Sequence, residues 1–365
     1  MKILLLTPDA FGGLGGIAKY NRDLIRGLCS HPRVSEVVAL PRRLALPTGA
    51  LPEKLTYLAA AAGGKFAYLK QVAGLLCSGT RFEAIISGHI NLLPAAHLFR
   101  MVLKAPLILL CYGIDTWQPT GNRLTDCLAA RVDAAVAISE ITRERFCQWA
   151  KIASHRVQIL PPAVNLAHYS PGAKDPELLR GLGLTGKVVL LTLARLAATE
   201  RYKGFDEIIE LLPALLERIP EVAYLIVGDG DDRGRLEEKA AALGVSDRVV
   251  FAGFVREEEK AAYYRLADAY VMPGRGEGFG IVFLEALACG IPVVGSKLDG
   301  SREALRQGEL GILVDSSNPR ELLEGIMAAL KRPKGVVPPG LEYFSFENFE
   351  RRCHNVMGQI LAAGG

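Results

Sequence analysis

The stretch Glu277-Gly278-Phe279-Gly280-Ile281-Val282-Phe283-Leu284-Glu285-Ala286-Leu287-Ala288-Cys289-Gly290-Ile291-Pro292-Val293-Val294 decides how the second half of the chain folds. The apolar run 269–272 ahead of it reads as a buried strand, residues 274–280 as a loop, and 281–289 as a helix. Gly290 suits the left-handed position just past a helix end, and Pro292 cannot continue the helix. A glycine-rich loop opening a helix leaves several backbone N–H groups unpaired, and the positive end of the helix dipole sits there too. Such a helix start takes phosphate groups. Glu285 falls about one helical turn in, on a side chain long enough to reach back toward the loop. Two carboxylates beside an anion site do not suit phosphate. They suit hydroxyls, so the expected ligand is a sugar phosphate or a nucleotide sugar. A purely structural reading, a buried helix with a glutamate near its dipole, accounts for Ile281, Phe283 and Leu284. It does not account for glycine at both Gly278 and Gly280.

Glutamate, seven residues, glutamate, in the setting E-G-F-G…E-A-L-A-C-G-x-P-V, resembles the signature of the retaining glycosyltransferases of family 4. The resemblance implies the α/β GT-B architecture. That is two doubly wound Rossmann-like domains facing a central cleft, with a C-terminal helix crossing back to the first domain. It covers the second half of the chain closely and the first half more loosely.

The size agrees. The chain has 365 residues, 50% of them hydrophobic, with mean hydropathy +0.21. That suffices for two ordinary domains, each with its own core. A net charge of +4 is weaker than a dedicated nucleic-acid binder shows, and no nucleic-acid partner is expected. It is compatible with an anionic donor or an anionic membrane surface. Cys29, Cys77, Cys111, Cys127, Cys147, Cys289 and Cys353 are scattered without metal-ligand spacing. An odd, dispersed set reads as reduced thiols in a cytoplasmic protein. Met1-Lys2 and the few apolar residues before Asp9 read as a first strand, not a signal peptide. No apolar run approaches the roughly 20 residues of a membrane span. The nearest, 55–77, is interrupted by Gly63-Gly64, Lys65 and Lys70. It reads as a core helix pair, with an interfacial helix at the inner face of the cytoplasmic membrane as the alternative.

Short apolar runs alternate with helical patterns throughout. Strands are expected at 3–6, 37–40, 84–86, 107–110, 134–138 and 157–160. After a break at Pro161-Pro162 they resume at 188–193, 224–227, 249–251, 270–272, 293–294 and 312–314. Strands of this kind between amphipathic helices imply parallel sheets covered on both faces. The expected domains are 1–165, joined by a final helix within 342–365, and 172–340. Ligands of such sheets bind at the C-terminal strand edge.

Several residues at those edges can carry chemistry. The first strand runs into Gly12-Gly13-Leu14-Gly15-Gly16, which allows close backbone approach to a ligand or serves turn geometry alone. Its spacing is not G-x-G-x-x-G, and Glu36 precedes the second strand instead of ending it, so a nicotinamide-binding fold fits poorly. Arg195 closes the strand 188–193 and Lys203 precedes a helix, so both project from a strand edge. A departing diphosphate needs such positive charge when no metal supplies it. Gly228 ends another strand and offers a flat surface on which a base stacks. Asp229-Gly230-Asp231-Asp232 superficially resembles a metal-binding D-x-D but reads as a turn and helix cap. His89 stands at a strand end, as a candidate for acceptor binding or proton movement or as a plain loop residue.

The family resemblance assigns roles to these positions. Gly15 and Gly16 match its N-terminal glycine pair, which approaches the donor diphosphate. Arg195 and Lys203 match its R-L…K-G cations. Gly228 matches its V-G-x-G loop, and Val255 lies in the loop that meets the nucleobase through backbone groups. Glu285 would hold the ribose hydroxyls and Glu277 the donor sugar, while the backbone of Gly278, Phe279 and Gly280 orients sugar and phosphate. Glu277, Arg195 and Lys203 are thus the candidate catalytic set, and His89, Tyr112 and Asp115 the candidate acceptor-side set. Relatives commonly carry histidine where this chain has Tyr112, so Tyr112 or Asp115 takes that role or the role is missing. Ser139-Glu140 resembles the family's S-E pair and reads as a helix cap. The implied activity is a metal-independent, cofactor-free, retaining hexosyltransferase. It would move a sugar, with a lean to mannose from Arg275-Gly276-Glu277-Gly278-Phe279-Gly280, from a nucleotide diphosphate sugar to a glycan or lipid-linked acceptor. The acceptor hydroxyl would attack on the leaving-group face, with Glu277 as nucleophile the alternative. Competing readings are a GT-B sugar-nucleotide epimerase, a non-catalytic sugar-nucleotide-binding subunit of a membrane complex and, more distantly, an oxidoreductase.

Overall fold

The computed structural model describes residues 1–363. The chain divides into two compact units: Met1–Ala163 together with the chain from Phe346 onward, and Val164–Ser345.

In the first unit, β1 (Lys2–Thr7), β2 (Glu36–Pro41), β3 (Leu55–Tyr57), β4 (Ala84–Ser87), β5 (Leu107–Cys111), β6 (Ala134–Ala137) and β7 (Val157–Ile159) form one parallel sheet. Its order is β3-β2-β1-β4-β5-β6-β7. Ile3, Leu4, Leu5 and Leu6 are each 0% exposed, because the sheet is covered on both sides and the middle of β1 presents apolar side chains to both faces. The last helix, Phe346–Ala363, packs on the helix Gly15–Ser30 of the same unit. Gly27 permits that contact, since a Cβ there would lie 3.2 Å from Cys353 Sγ.

The expectation of a core helix pair at 55–77 is corrected. Leu55–Tyr57 is the edge strand β3, Ala59–Ala62 is a short 3-10 turn, and only Lys65–Cys77 is an α-helix. The break falls at Gly64, whose φ of +114° no L side chain adopts comfortably. The helix rests on its unit through Tyr68 and Val72, while Phe66 is 88% and Leu69 50% exposed.

The second unit repeats the plan with β8 (Val188–Leu193), β9 (Val222–Val227), β10 (Val249–Gly253), β11 (Ala269–Met272), β12 (Val293–Ser296) and β13 (Ile312–Val314). All pairings are parallel, in the order β10-β9-β8-β11-β12-β13. In each sheet the strand order reverses once, between β1 and β4 and between β8 and β11. The carboxyl edge at such a reversal, where the following loops run to opposite faces, is where open α/β sheets hold ligands.

Candidate active site

The loop after β11 carries Glu277, and the helix that follows it carries Glu285. Arg275 N–H donates to Tyr202 O at 2.8 Å on one side, and Gly300 N–H donates to Glu277 O at 2.8 Å on the other. The helix that follows, Ile281–Ala288, starts from Gly280 at φ +90°. A Cβ on Gly280 would meet the Phe283 ring at 2.4 Å, so glycine is required there for space as well as for backbone conformation. Gly278 and Phe279 are buried, and the Phe279 ring stands edge-on to Phe344 at 5.5 Å. Phe279 therefore anchors the loop with its ring.

At the β8–β11 reversal, the loop after β8 brings Lys203 to Glu277, with Nζ 3.5 Å from Oε2. The side chains of these two groups are only 16% and 21% exposed. Burial depresses the Lys203 pKa, but the charges of Glu277 and Glu200 outweigh it and raise the net value above that of an ordinary lysine. Lys203 is therefore a fixed ammonium at neutral pH. Glu200, which sequence reasoning passed over, pairs with Arg195 through one oxygen and lies 3.6 Å from Lys203 Nζ through the other. The two cations expected to face a diphosphate thus share a carboxylate. Arg195 is the more open of them, 70% exposed. Arg275 turns away to pair with Glu207 at 2.7 Å.

Glu285 is 2% exposed, and its Oε2 accepts a hydrogen bond from Tyr264 OH at 2.9 Å. Tyr264, in the helix Lys260–Leu266, is itself fully buried. It was not singled out from the sequence, because an aromatic at helical spacing reads as core. Its hydroxyl makes it a partner that holds Glu285.

Gly228 is required by packing. Its φ is +136°, and a Cβ there would lie 1.9 Å from Ala194 O, so glycine is demanded by the neighbouring strand exit. Val255 is buried, whereas Phe254 beside it is 63% exposed. The expected cap at Asp232 is corrected. Asp232 occupies the position before the helix Arg233–Ala242, yet its side chain makes no cap bond and pairs instead with Arg235 at 2.6 Å and Arg201 at 3.2 Å. Two guanidinium groups within reach outcompete a single backbone N–H. Among the described residues no cluster of three or more His, Cys, Asp or Glu is arranged to hold a metal.

In the first unit, the loop after β1 leads to Gly15 at φ +86°, and Gly15, Gly16 and Ile17 are exposed at the helix start. His89 follows β4, the strand beside β1 at the reversal point of the first sheet. Its Nδ1 accepts from Asn91 N–H at 3.1 Å, and burial, aided by Arg43, lowers its pKa, so the ring is neutral at pH 7. Tyr112 is buried, with its hydroxyl donating to Asn21 Oδ1 at 2.6 Å. Asn21 passes the chain on to Thr7 and the Asp9 carbonyl, each at 2.9 Å. Tyr112 thus braces the β1 loop and its hydroxyl is occupied. Asp115 accepts from Tyr112 N–H at 3.2 Å, and burial raises its pKa to about 8, which keeps the carboxyl protonated at neutral pH. Ser139 caps its helix as expected, accepting from Thr142 N–H at 3.3 Å.

The chain is similar to several known proteins. Residues 177–336 match the family model of glycosyl transferases group 1. The chain is 33% identical over 245 residues to a GDP-mannose-dependent alpha-(1-6)-phosphatidylinositol monomannoside mannosyltransferase of Mycolicibacterium smegmatis, covering 64% of this chain and 62% of that protein. It is 34% identical over 281 residues to a D-inositol 3-phosphate glycosyltransferase of Geodermatophilus obscurus, covering 74% and 61%. The chain therefore spans about three fifths of the length of these two relatives. Among solved structures, Anabaena HepE in complex with UDP and glucose superposes with a TM-score of 0.75 at 20% identity, covering 98% of this chain and 100% of that one. Sucrose-phosphate synthase from Thermosynechococcus elongatus gives 0.76 at 20% identity, covering 99% of each chain. Likeness of this depth concerns the fold, and the fold is the expected GT-B type.

Proposed function

We propose that this chain is a retaining, metal-independent glycosyltransferase of family 4. It transfers a mannose-type hexose from a nucleotide diphosphate sugar to a glycan or lipid-linked acceptor in polysaccharide or glycolipid synthesis. The observation that carries the reading is the Lys203–Glu277 pair at the reversal point of the second sheet, within the segment that matches group 1 glycosyl transferases. GDP-mannose is the first donor to test, because it is the donor named for the mycobacterial relative.

In this reading Lys203 and Arg195 take the charge that develops on the leaving diphosphate, a role for which fixed, partly dehydrated cations are most effective. Donor binding shifts both from Glu200 toward the phosphates. Glu277 contacts the sugar hydroxyls and Glu285 the ribose. The bond from the anomeric carbon to the diphosphate oxygen breaks while the acceptor oxygen bonds the same carbon from the same face. The acceptor proton passes to a phosphate oxygen. In the first unit, the open helix start at Gly15 and Gly16 offers amide N–H groups to an anionic group. His89, neutral at pH 7, and the carboxyl of Asp115 are the acceptor-side candidates. Tyr112 acts through Asn21 and the loop after β1.

A peripheral contact with the inner face of the cytoplasmic membrane goes with a lipid-linked acceptor. The helix Lys65–Cys77 supports it, with exposed Phe66 and Leu69 beside exposed Lys65 and Lys70. Phe66→Ser should reduce co-flotation with anionic vesicles, and equal flotation of variant and wild type would remove this contact.

The test of function is a thermal-shift panel of nucleotide sugars, followed by transfer from the best donor to lipid extracts and glycans with product analysis. A ligand that binds only the folded state raises its apparent stability. Expected is a shift with one sugar nucleotide and a glycosylated product of retained configuration, undiminished by EDTA. Donor conversion without acceptor would identify an epimerase, binding without any product a non-catalytic subunit. Loss of transfer in EDTA, restored by a divalent cation, would give Asp229 and Asp231 a metal role.

A further inference from the structure

Asp299 lies in the loop after β12, has no exposed surface and forms no ion pair among the described residues. Burying a carboxylate without a cation is unfavourable and is tolerated only when hydrogen-bond donors replace the lost water. Two do so. Asp299 Oδ2 accepts from Glu277 N–H at 2.8 Å, and Oδ1 accepts from Ser301 N–H at 3.0 Å. The next residue completes a clasp, because Gly300 N–H donates to the Glu277 carbonyl at 2.8 Å. Both backbone polar groups of Glu277 are therefore held by adjacent residues of one loop. The approach is so close that a Cβ on Gly300 would lie 2.1 Å from Gly278 O. The opposite side is equally tight, with a Cβ on Gly274 falling 2.8 Å from Tyr202 O, next to Lys203.

We propose that Asp299 is a positioning residue that sets Glu277 against Lys203 and the donor sugar. The inference rests on the reading of Glu277 as the sugar-contacting acid. A turn-capping role alone would need only the bond to Ser301 N–H, which an asparagine or serine supplies. The second acceptor, aimed at Glu277, is what demands a carboxylate. It accepts on both oxygens and donates on neither, whereas an asparagine there would turn its NH₂ against one of the two N–H groups. Burial raises the Asp299 pKa to about 6, and the hydrogen bonds from Ser301 and the Glu277 N–H oppose that rise by favouring the charged form.

The test is Asp299→Asn, studied in the full chain with GDP-mannose and GDP as probes. Removing a buried charge and losing one acceptor act in opposite directions on stability, so the melting temperature should stay within a few degrees of wild type. Hydrogen exchange at the Glu277 amide should quicken by about tenfold or more in the absence of any nucleotide, because that N–H loses its acceptor. The kcat for transfer should fall by about 10- to 100-fold, the range that a small displacement of a reacting group produces, with GDP affinity unchanged within about threefold. Unchanged exchange at Glu277 would overturn the clasp whatever the enzyme transfers. GDP affinity and melting temperature falling in step with kcat would reduce Asp299 to a structural residue. A wild-type protein that passes mannose to no acceptor while the variant still shows faster exchange would refute the role of Glu277, and that of Asp299 with it, but not the clasp.

Discussion

Replacing Lys203 with methionine keeps the length of the side chain and removes its charge. Lys203 is 16% exposed, with Glu277 at 3.5 Å and Glu200 at 3.6 Å. At an effective dielectric constant of about 20, a unit-charge pair at that distance interacts by about 5 kcal/mol before desolvation is subtracted. The raised pKa of Lys203 means that attraction wins over desolvation in the resting enzyme. A diphosphate carries more charge than either glutamate, so the same ammonium, already in place and partly dry, stabilises the leaving group more than it stabilises the resting pair. Loss of one such preorganised contact costs about 2.7–4 kcal/mol, or about 10²–10³-fold in rate. Lys203→Met should therefore lower kcat/KM for transfer from GDP-mannose by about 10²–10³-fold. It should weaken GDP by at least about tenfold and leave guanosine affinity unchanged. Initial-rate transfer assays and isothermal titration with GDP and guanosine measure all three. A variant with kcat/KM within about threefold of wild type, or one that loses guanosine and GDP alike, would refute the placing of the diphosphate on Lys203.

Three further outcomes follow from other contacts. Gly228→Ala combines a φ of +136° with a Cβ placed 1.9 Å from Ala194 O, so the second unit should lose about 3 kcal/mol or more in urea unfolding; a midpoint equal to wild type would contradict that geometry. Tyr264→Phe removes the donor to a buried Glu285, which should cost about 1–3 kcal/mol and weaken GDP binding; full GDP affinity would detach Glu285 from the nucleotide. For Asp206, burial raises the carboxyl pKa, but hydrogen bonds from Arg235 and Lys239 more than reverse this and bring it from 3.8 down to about 2. A depressed carboxylate pKa contributes stability that is complete above pH ~4 and lost as pH falls toward ~2, about 1–2 kcal/mol after allowing for solvent screening. Asp206→Asn should flatten that acid limb in pH-dependent unfolding, and an identical limb in the variant would remove the network from the account.

Local chemistry was enough to identify most of the fold and to propose a candidate site. The strands are short apolar runs, and sheets covered on both faces admit no other pattern, so β1, β4, β5, β8 and β11 stand where their sequences place them. Gly290 takes the left-handed turn expected after its helix, with φ +73°. Glu277 and Glu285 stand out in a glycine-rich loop and helix start with few structural explanations, Lys203 stands out by its place relative to that segment, and the fold brings Lys203 to Glu277. The segment 55–77 was misread because an edge strand paired on one side needs only three residues, too few to show a period. Tertiary structure alone decided the partners. Glu200 lies near Arg195 in sequence, yet only the folded loop turns it onto both cations. Tyr264 is 21 residues from Glu285, and Asp299 is 22 from Glu277. A sequence pattern records what one residue must do with its near neighbours. Hydrogen bonds between loops at the ends of separate strands depend on the order in which the sheet assembles those strands, and no local spacing encodes that order.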